Sequence, residues 1–133
     1  VIYMDTSALM KLVVADTESE ALTDFLESRD ETPWCTAALT RAELVRAAAQ
    51  IDPRAVDDAR QVLAGLDTVT VTDRLLDTAV GLEPATLTVS EAIHLAAALT
   101  AGPLLESFVS YDKRLLDAAR LNRIPTVSPG GAA

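Results

Sequence analysis

Two short apolar runs, Val1-Ile2-Tyr3-Met4 and Phe108-Val109-Ser110-Tyr111, each end at an aspartate that opens a helical stretch. Runs of this length, rich in β-branched and aromatic residues, read as strands buried on both faces, as parallel strands are. Asp5-Thr6-Ser7 and Asp112 then supply the side chains that start a helix. A buried strand feeding directly into a helix is half of a βαβ unit, so the chain is constrained to an α/β domain with a central, mostly parallel sheet. Trp34-Cys35-Thr36, Thr68-Val69-Thr70-Val71 and Pro125-Thr126-Val127 are the remaining strand candidates. Apolar spacing predicts helices over 8–14, 17–29, 37–50, 53–66, 73–80, 88–101 and 112–122. Helices outnumber strands, and two precede the second strand. Residues 1–128 read as one domain and 129–133 as a flexible tail of small residues.

Composition narrows the function classes. Half of the 133 residues are hydrophobic, enough for one sizeable core. A net charge of −9 argues against broad electrostatic binding of nucleic acid or anionic membrane. It leaves room for a site neutralised locally by a divalent cation. The single cysteine, Cys35, excludes an internal disulfide and fits a reducing compartment. No apolar run is long enough to span a bilayer and nothing resembles a signal peptide, so the expectation is a soluble, cytoplasmic protein.

Most of the twenty acids fall on polar helix faces, but four sit where an apolar context meets a helix start: Asp5, Glu43, Glu91 and Asp112. Each has a plain alternative. Asp5 and Asp112 can be N-caps, and Thr40-Arg41-Ala42-Glu43 and Thr88-Val89-Ser90-Glu91 both match a capping box. Taken together, all four can converge at one edge of a parallel sheet, because each opens a helix leaving that edge. Two carboxylates 4 Å apart repel by about 4 kcal/mol at an effective dielectric near 20. Such a pocket must raise pKa values, recruit bases or bind a cation. Oxygen donors without Cys or several His point to Mg²⁺ or Mn²⁺ rather than zinc.

At these residues the chain resembles the PIN-domain ribonucleases, and within them the VapC-type toxins of bacterial toxin–antitoxin pairs. Asp5-Thr6-Ser7-Ala8-Leu9, Thr40-Arg41-Ala42-Glu43-Leu44, Ser90-Glu91-Ala92-Ile93-His94-Leu95-Ala96 and Ser110-Tyr111-Asp112-Lys113-Arg114-Leu115 match the family's four blocks in order. The resemblance implies an α/β/α sandwich that gathers Asp5, Glu43, Glu91 and Asp112 around one or two Mg²⁺ or Mn²⁺ ions. It also implies cleavage of RNA, homodimerisation and inhibition by a cognate antitoxin protein.

Within that reading the Thr6 and Ser110 hydroxyls orient the metal ligands, and Arg41, Lys113 and Arg114 are candidates to touch RNA phosphates. His94 reads as a hydrogen-bonded core residue, Cys35 as a small buried hydrophobe and Trp34 as packing. One position departs from the family pattern: Glu91 stands where aspartate is usual, and its extra methylene moves the carboxylate by about 1.5 Å. Misplacement of that order can cost about 10²-fold in rate. The alternative is therefore a catalytically impaired PIN-like module that only binds its antitoxin or RNA partner. Aspartyl-phosphate chemistry fits poorly, since Ser7 stands where a phosphatase would carry a second aspartate.

Overall fold

The computed structural model describes residues 1–131. In chain order the elements are β1 (Ile2–Met4), α1 (Thr6–Val13), α2 (Ser19–Glu27), β2 (Trp34–Ala37), α3 (Thr40–Ile51), α4 (Ala55–Ala64), β3 (Asp67–Val69), α5 (Asp73–Val80), α6 (Val89–Leu99), β4 (Ser107–Val109), α7 (Lys113–Leu121) and β5 (Thr126–Val127), with a 3₁₀ turn at Gly102–Leu104. The strands form one sheet in the order β3-β2-β1-β4-β5, and every pairing is parallel. The sheet expected to be mostly parallel is wholly so among the described residues.

Alternation along β1 builds the layers. Ile2 and Met4 turn to one face and pack with Leu9, Leu22, Leu44 and Ala59 from α1 to α4. Tyr3 turns to the other and packs with Leu75, Leu95 and Leu115 from α5 to α7. The Tyr3 ring stacks on Phe108 of β4 at 5.2 Å between centroids. All three β1 side chains have no solvent exposure, the two-sided burial that its unbroken apolar run predicts. Each such side chain stabilises the fold by roughly 1.5–3 kcal/mol relative to exposure. Cys35 is buried and free, as expected.

Several boundaries shift for local reasons. β3 ends at Val69, and Thr72, three residues on, is the side-chain cap of α5. α3 starts at Thr40, since residues up to Ala37 are drawn into β2 beside β3. α6 ends at Leu99, and Gly102 at φ +55° allows the turn that follows. Residues 129–131 of the stretch expected to be a flexible tail are described. The Tyr111 hydroxyl donates to the Pro129 carbonyl at 2.7 Å, and the Gly131 N–H to the Ser128 carbonyl at 2.8 Å. Residues 132 and 133 lie outside the described residues. Among the described residues no helix is long and apolar enough to cross a membrane.

The topology also fixes where a ligand can bind. From β1 the chain runs outward to β2 and β3, then returns to β4 on the opposite side of β1. Strand order therefore reverses between β1 and β4, and the crevice beyond their carboxyl ends is the usual ligand position in such sheets.

Candidate active site

Asp5 leaves β1 into that crevice and caps α1, its Oδ1 accepting the Ala8 N–H at 2.9 Å. Two hydroxyls complete its surroundings. Ser7 donates to Oδ1 at 2.7 Å and Ser110, at the end of β4, donates to Oδ2 at 2.6 Å. Both serines accept a backbone N–H of the loop opening α7, Ser7 from Tyr111 and Ser110 from Asp112. The loop after β4 is thereby tied to both oxygens of the carboxylate after β1. Asp5 is only 3% exposed. Burial pushes its pKa above the ordinary value, against the hydrogen bonds from Ser110, Ser7 and Ala8.

Glu43 sits in the first turn of α3 and faces inward. Oε1 accepts from the Thr6 hydroxyl and from His94 Nε2, both at 2.8 Å, and Oε2 accepts from the Ser90 hydroxyl at 2.7 Å. Partial burial pushes the carboxyl up, but the three hydrogen bonds outweigh it and bring the pKa down to about 2. His94 is itself held from behind, its Nδ1 lying 2.7 Å from the Tyr3 hydroxyl, which also accepts the Ala37 N–H at 3.0 Å. His94 is the hydrogen-bonded core residue expected, yet its second nitrogen reaches the site.

The two matching capping-box strings part company here. Thr88 and Glu91 form the box on α6. Thr40 and Glu43 do not: α3 begins after Leu39 without a side-chain cap, and Thr40 accepts from the Thr36 hydroxyl at 2.8 Å in the core. Thr6, Ser90 and His94 draw Glu43 away from its own helix end, which supports the site reading over the capping one. For Glu91 the capping reading is realised. Its Oε1 accepts the Thr88 N–H at 2.8 Å and its Oε2 lies 3.3 Å from Arg114 Nε. Asp112 caps α7 through Leu115 and is exposed.

Asp5, Glu43 and Asp112 thus each follow the carboxyl end of a strand, β1, β2 and β4 in turn, while Glu91, in the first turn of α6, is engaged with Thr88 and Arg114. Among the described residues no group of three or more His, Cys, Asp or Glu is arranged to hold a metal ion. Of the two hydroxyls singled out in the sequence, Thr6 donates to Glu43 and Ser110 to Asp5. Of the candidate RNA contacts, Arg41 and Lys113 are exposed, whereas Arg114 is taken up by Glu91 and the Thr86 carbonyl. Ser7, Ser90 and Tyr3 are site residues that pattern reading missed. For Tyr3 a signal existed, since a phenol in a two-sided buried strand must find a polar partner; Ser7 and Ser90 lie inside the matched blocks.

A family model described as PIN domain matches residues 2–121. Ribonuclease VapC35 of Mycobacterium tuberculosis is 41% identical over 133 residues, covering 98% of each chain. Ribonuclease VapC46 of the same species is 41% identical over 128 residues, covering 96% of this chain and 97% of its own. The crystal structure of Mycobacterium tuberculosis VapC20, described as a Sarcin-Ricin loop cleaving toxin, superposes with a TM-score of 0.76 over 97% of this chain and 100% of that one. At 18% identity that likeness speaks to the fold.

Proposed function

The chain belongs to the PIN-domain family, alongside the VapC ribonucleases, and on that premise we propose that it is a metal-dependent endoribonuclease toxin held in check by a cognate antitoxin protein. The observation that carries the reading is Asp5, a buried carboxylate at the β1/β4 switch point that is hydrogen-bonded on both oxygens. Among the described residues no Lys or Arg is paired with Asp5 or Glu43.

The donor set fits a hard divalent cation such as Mg²⁺ or Mn²⁺: carboxylates and hydroxyls, no thiolate, and, among the described residues, no Lys or Arg paired with Asp5, Glu43 or Asp112. Asp5, Glu43 and Asp112 would hold it, and Glu91 would join them on releasing Arg114. When bound, such an ion acidifies water and neutralises charge on the phosphate under attack. The protein's own part is orientation. Ser7 and Ser110 hold Asp5, while Thr6, Ser90 and His94 hold Glu43, so neither carboxylate is free to rotate as charge develops beside it. Three donors on Glu43 keep it ionised.

The expected partners are an RNA substrate, the antitoxin and a second copy of the chain; exposed Val80 and Val89 on α5 and α6 support an apolar contact with one of the protein partners. Incubating the purified protein with a mixed RNA pool and Mg²⁺ or Mn²⁺ tests the reading. Cleavage that stops on chelation and is lost in Asp5→Asn is the expected result. Full cleavage after exhaustive metal removal overturns it. Glu91's commitment to Thr88 and Arg114 favours the second reading, a binding module with weak chemistry. Cleavage by neither the native protein nor Glu91→Asp, with antitoxin binding intact, would select that one.

A further inference from the structure

Eleven Lys and Arg side chains serve a chain of net charge −9, and they are unevenly used. Lys11, Arg29, Arg54, Arg114 and Arg120 are ion-paired with neighbouring acids. Among the described residues the other six are in no ion pair. Three of those six, Arg41, Arg46 and Arg60, line one cavity of about 670 Å³ formed by α3, α4 and β3. Thr68 and apolar residues such as Val45, Leu63 and Leu66 complete its walls, and no acid lines it. Like charges gathered around one hollow repel each other, and an anion placed among them relieves the repulsion. Guanidinium groups suit phosphate in particular, because their planar fork can donate two parallel hydrogen bonds to it.

The groove's position names the anion. Arg41 and Glu43 both lie in the first turn of α3 on different sides of the helix, so the hollow begins at the helix end that carries the acidic site. Arg41 and Arg46 lie about 7.5 Å apart along the helix axis, a span that lets them meet different phosphates of an extended strand. We propose that this groove carries the sugar–phosphate backbone of the RNA strand that flanks the bond to be cut. The proposal rests on the ribonuclease reading above. An acidic protein segment has the same charge, but nucleic acid is favoured because the adjoining site needs phosphate brought in against the net negative field of the chain.

Binding of a labelled single-stranded RNA of mixed sequence to the metal-free protein, followed by anisotropy over a salt series, tests the groove. Each phosphate contact contributes about 0.7 to the slope of log affinity against log salt for a single strand. Arg46→Ala and Arg60→Ala should each lower the slope by about that amount, and their folding is checked by circular dichroism. Arg74→Ala and Arg123→Ala, also unpaired but outside the cavity, should leave it unchanged. Slopes equal to wild type in the two groove variants overturn the proposal, as does an equal drop in all four. Displacement of a polyglutamate peptide by the groove substitutions, with RNA slopes unmoved, overturns it in favour of a protein partner. Cleavage of the RNA pool by wild type is measured in parallel. If cleavage persists while the slopes do not move, the groove assignment fails alone; if RNA is neither bound nor cut, the ribonuclease reading fails with it.

Discussion

Glu43 can only accept hydrogen bonds when ionised, so the proton between it and His94 belongs to Nε2. The Tyr3 phenol, which burial pushes well above its ordinary pKa, keeps its proton and lies 2.7 Å from Nδ1. His94 is thus held between a buried phenol and a site carboxylate. His94 is the only histidine in the chain, so its ¹⁵N shifts report without assignment which ring nitrogens carry a proton; a bare Nε2 would contradict the contact with the Glu43 carboxylate. Tyr3→Phe keeps the stacking on Phe108 but orphans Nδ1 and the Ala37 N–H, and should cost about 1–3 kcal/mol in denaturant unfolding. The Glu43 carboxyl has a further consequence for acid stability. Its folded pKa of about 2 lies below the ordinary 4.5, so in the metal-free protein its contribution is complete above pH 4.5. That contribution is lost as the pH falls toward 2. Glu43→Gln should therefore show a flatter decline in stability than wild type between those limits.

Among the helices, α6 carries the clearest local signal, and its capping box is present. Thr88→Ala should destabilise the fold by about 1 kcal/mol, read as a lower midpoint in urea with an unchanged slope. Glu91→Asp should weaken the box and the Arg114 contact together. If it does so while raising cleavage, the longer side chain holds the acid away from the site. The comparison with α3 marks how far the sequence is legible. Thr40-Arg41-Ala42-Glu43 and Thr88-Val89-Ser90-Glu91 look alike locally, yet one folds as a cap and the other does not. Thr36, Thr6, Ser90 and His94 decide the matter, and they come from elsewhere in the chain. The two-sided burial of β1, by contrast, is written in four consecutive residues, and Asp5 and Asp112 cap their helices as their type predicts. Ser7 escaped notice because a serine among capping residues carries no mark of the partner it meets on Tyr111. Strand ends moved by one or two residues wherever a side chain was needed for a cap or for the site.

At the scale of the whole molecule the charge balance sets the conditions for activity. RNA must approach a chain of net charge −9, so moderate salt should first raise the cleavage rate by screening that repulsion. Higher salt should then lower it as phosphate contacts weaken. A monotonic fall from the lowest salt onward would mean that the overall field does not limit encounter. The same parallel sheet also determines when the protein can act at all. Asp5 is held by Ser110, which follows it by 105 positions, and the central strand is flanked by β4 from the far end of the chain. A polypeptide still emerging from the ribosome has its first acid exposed long before the serine that fixes it exists. Until Ser110 has been added to the chain, Asp5 lacks the donor to its second carboxylate oxygen, so its surroundings cannot be complete while only the first strand exists.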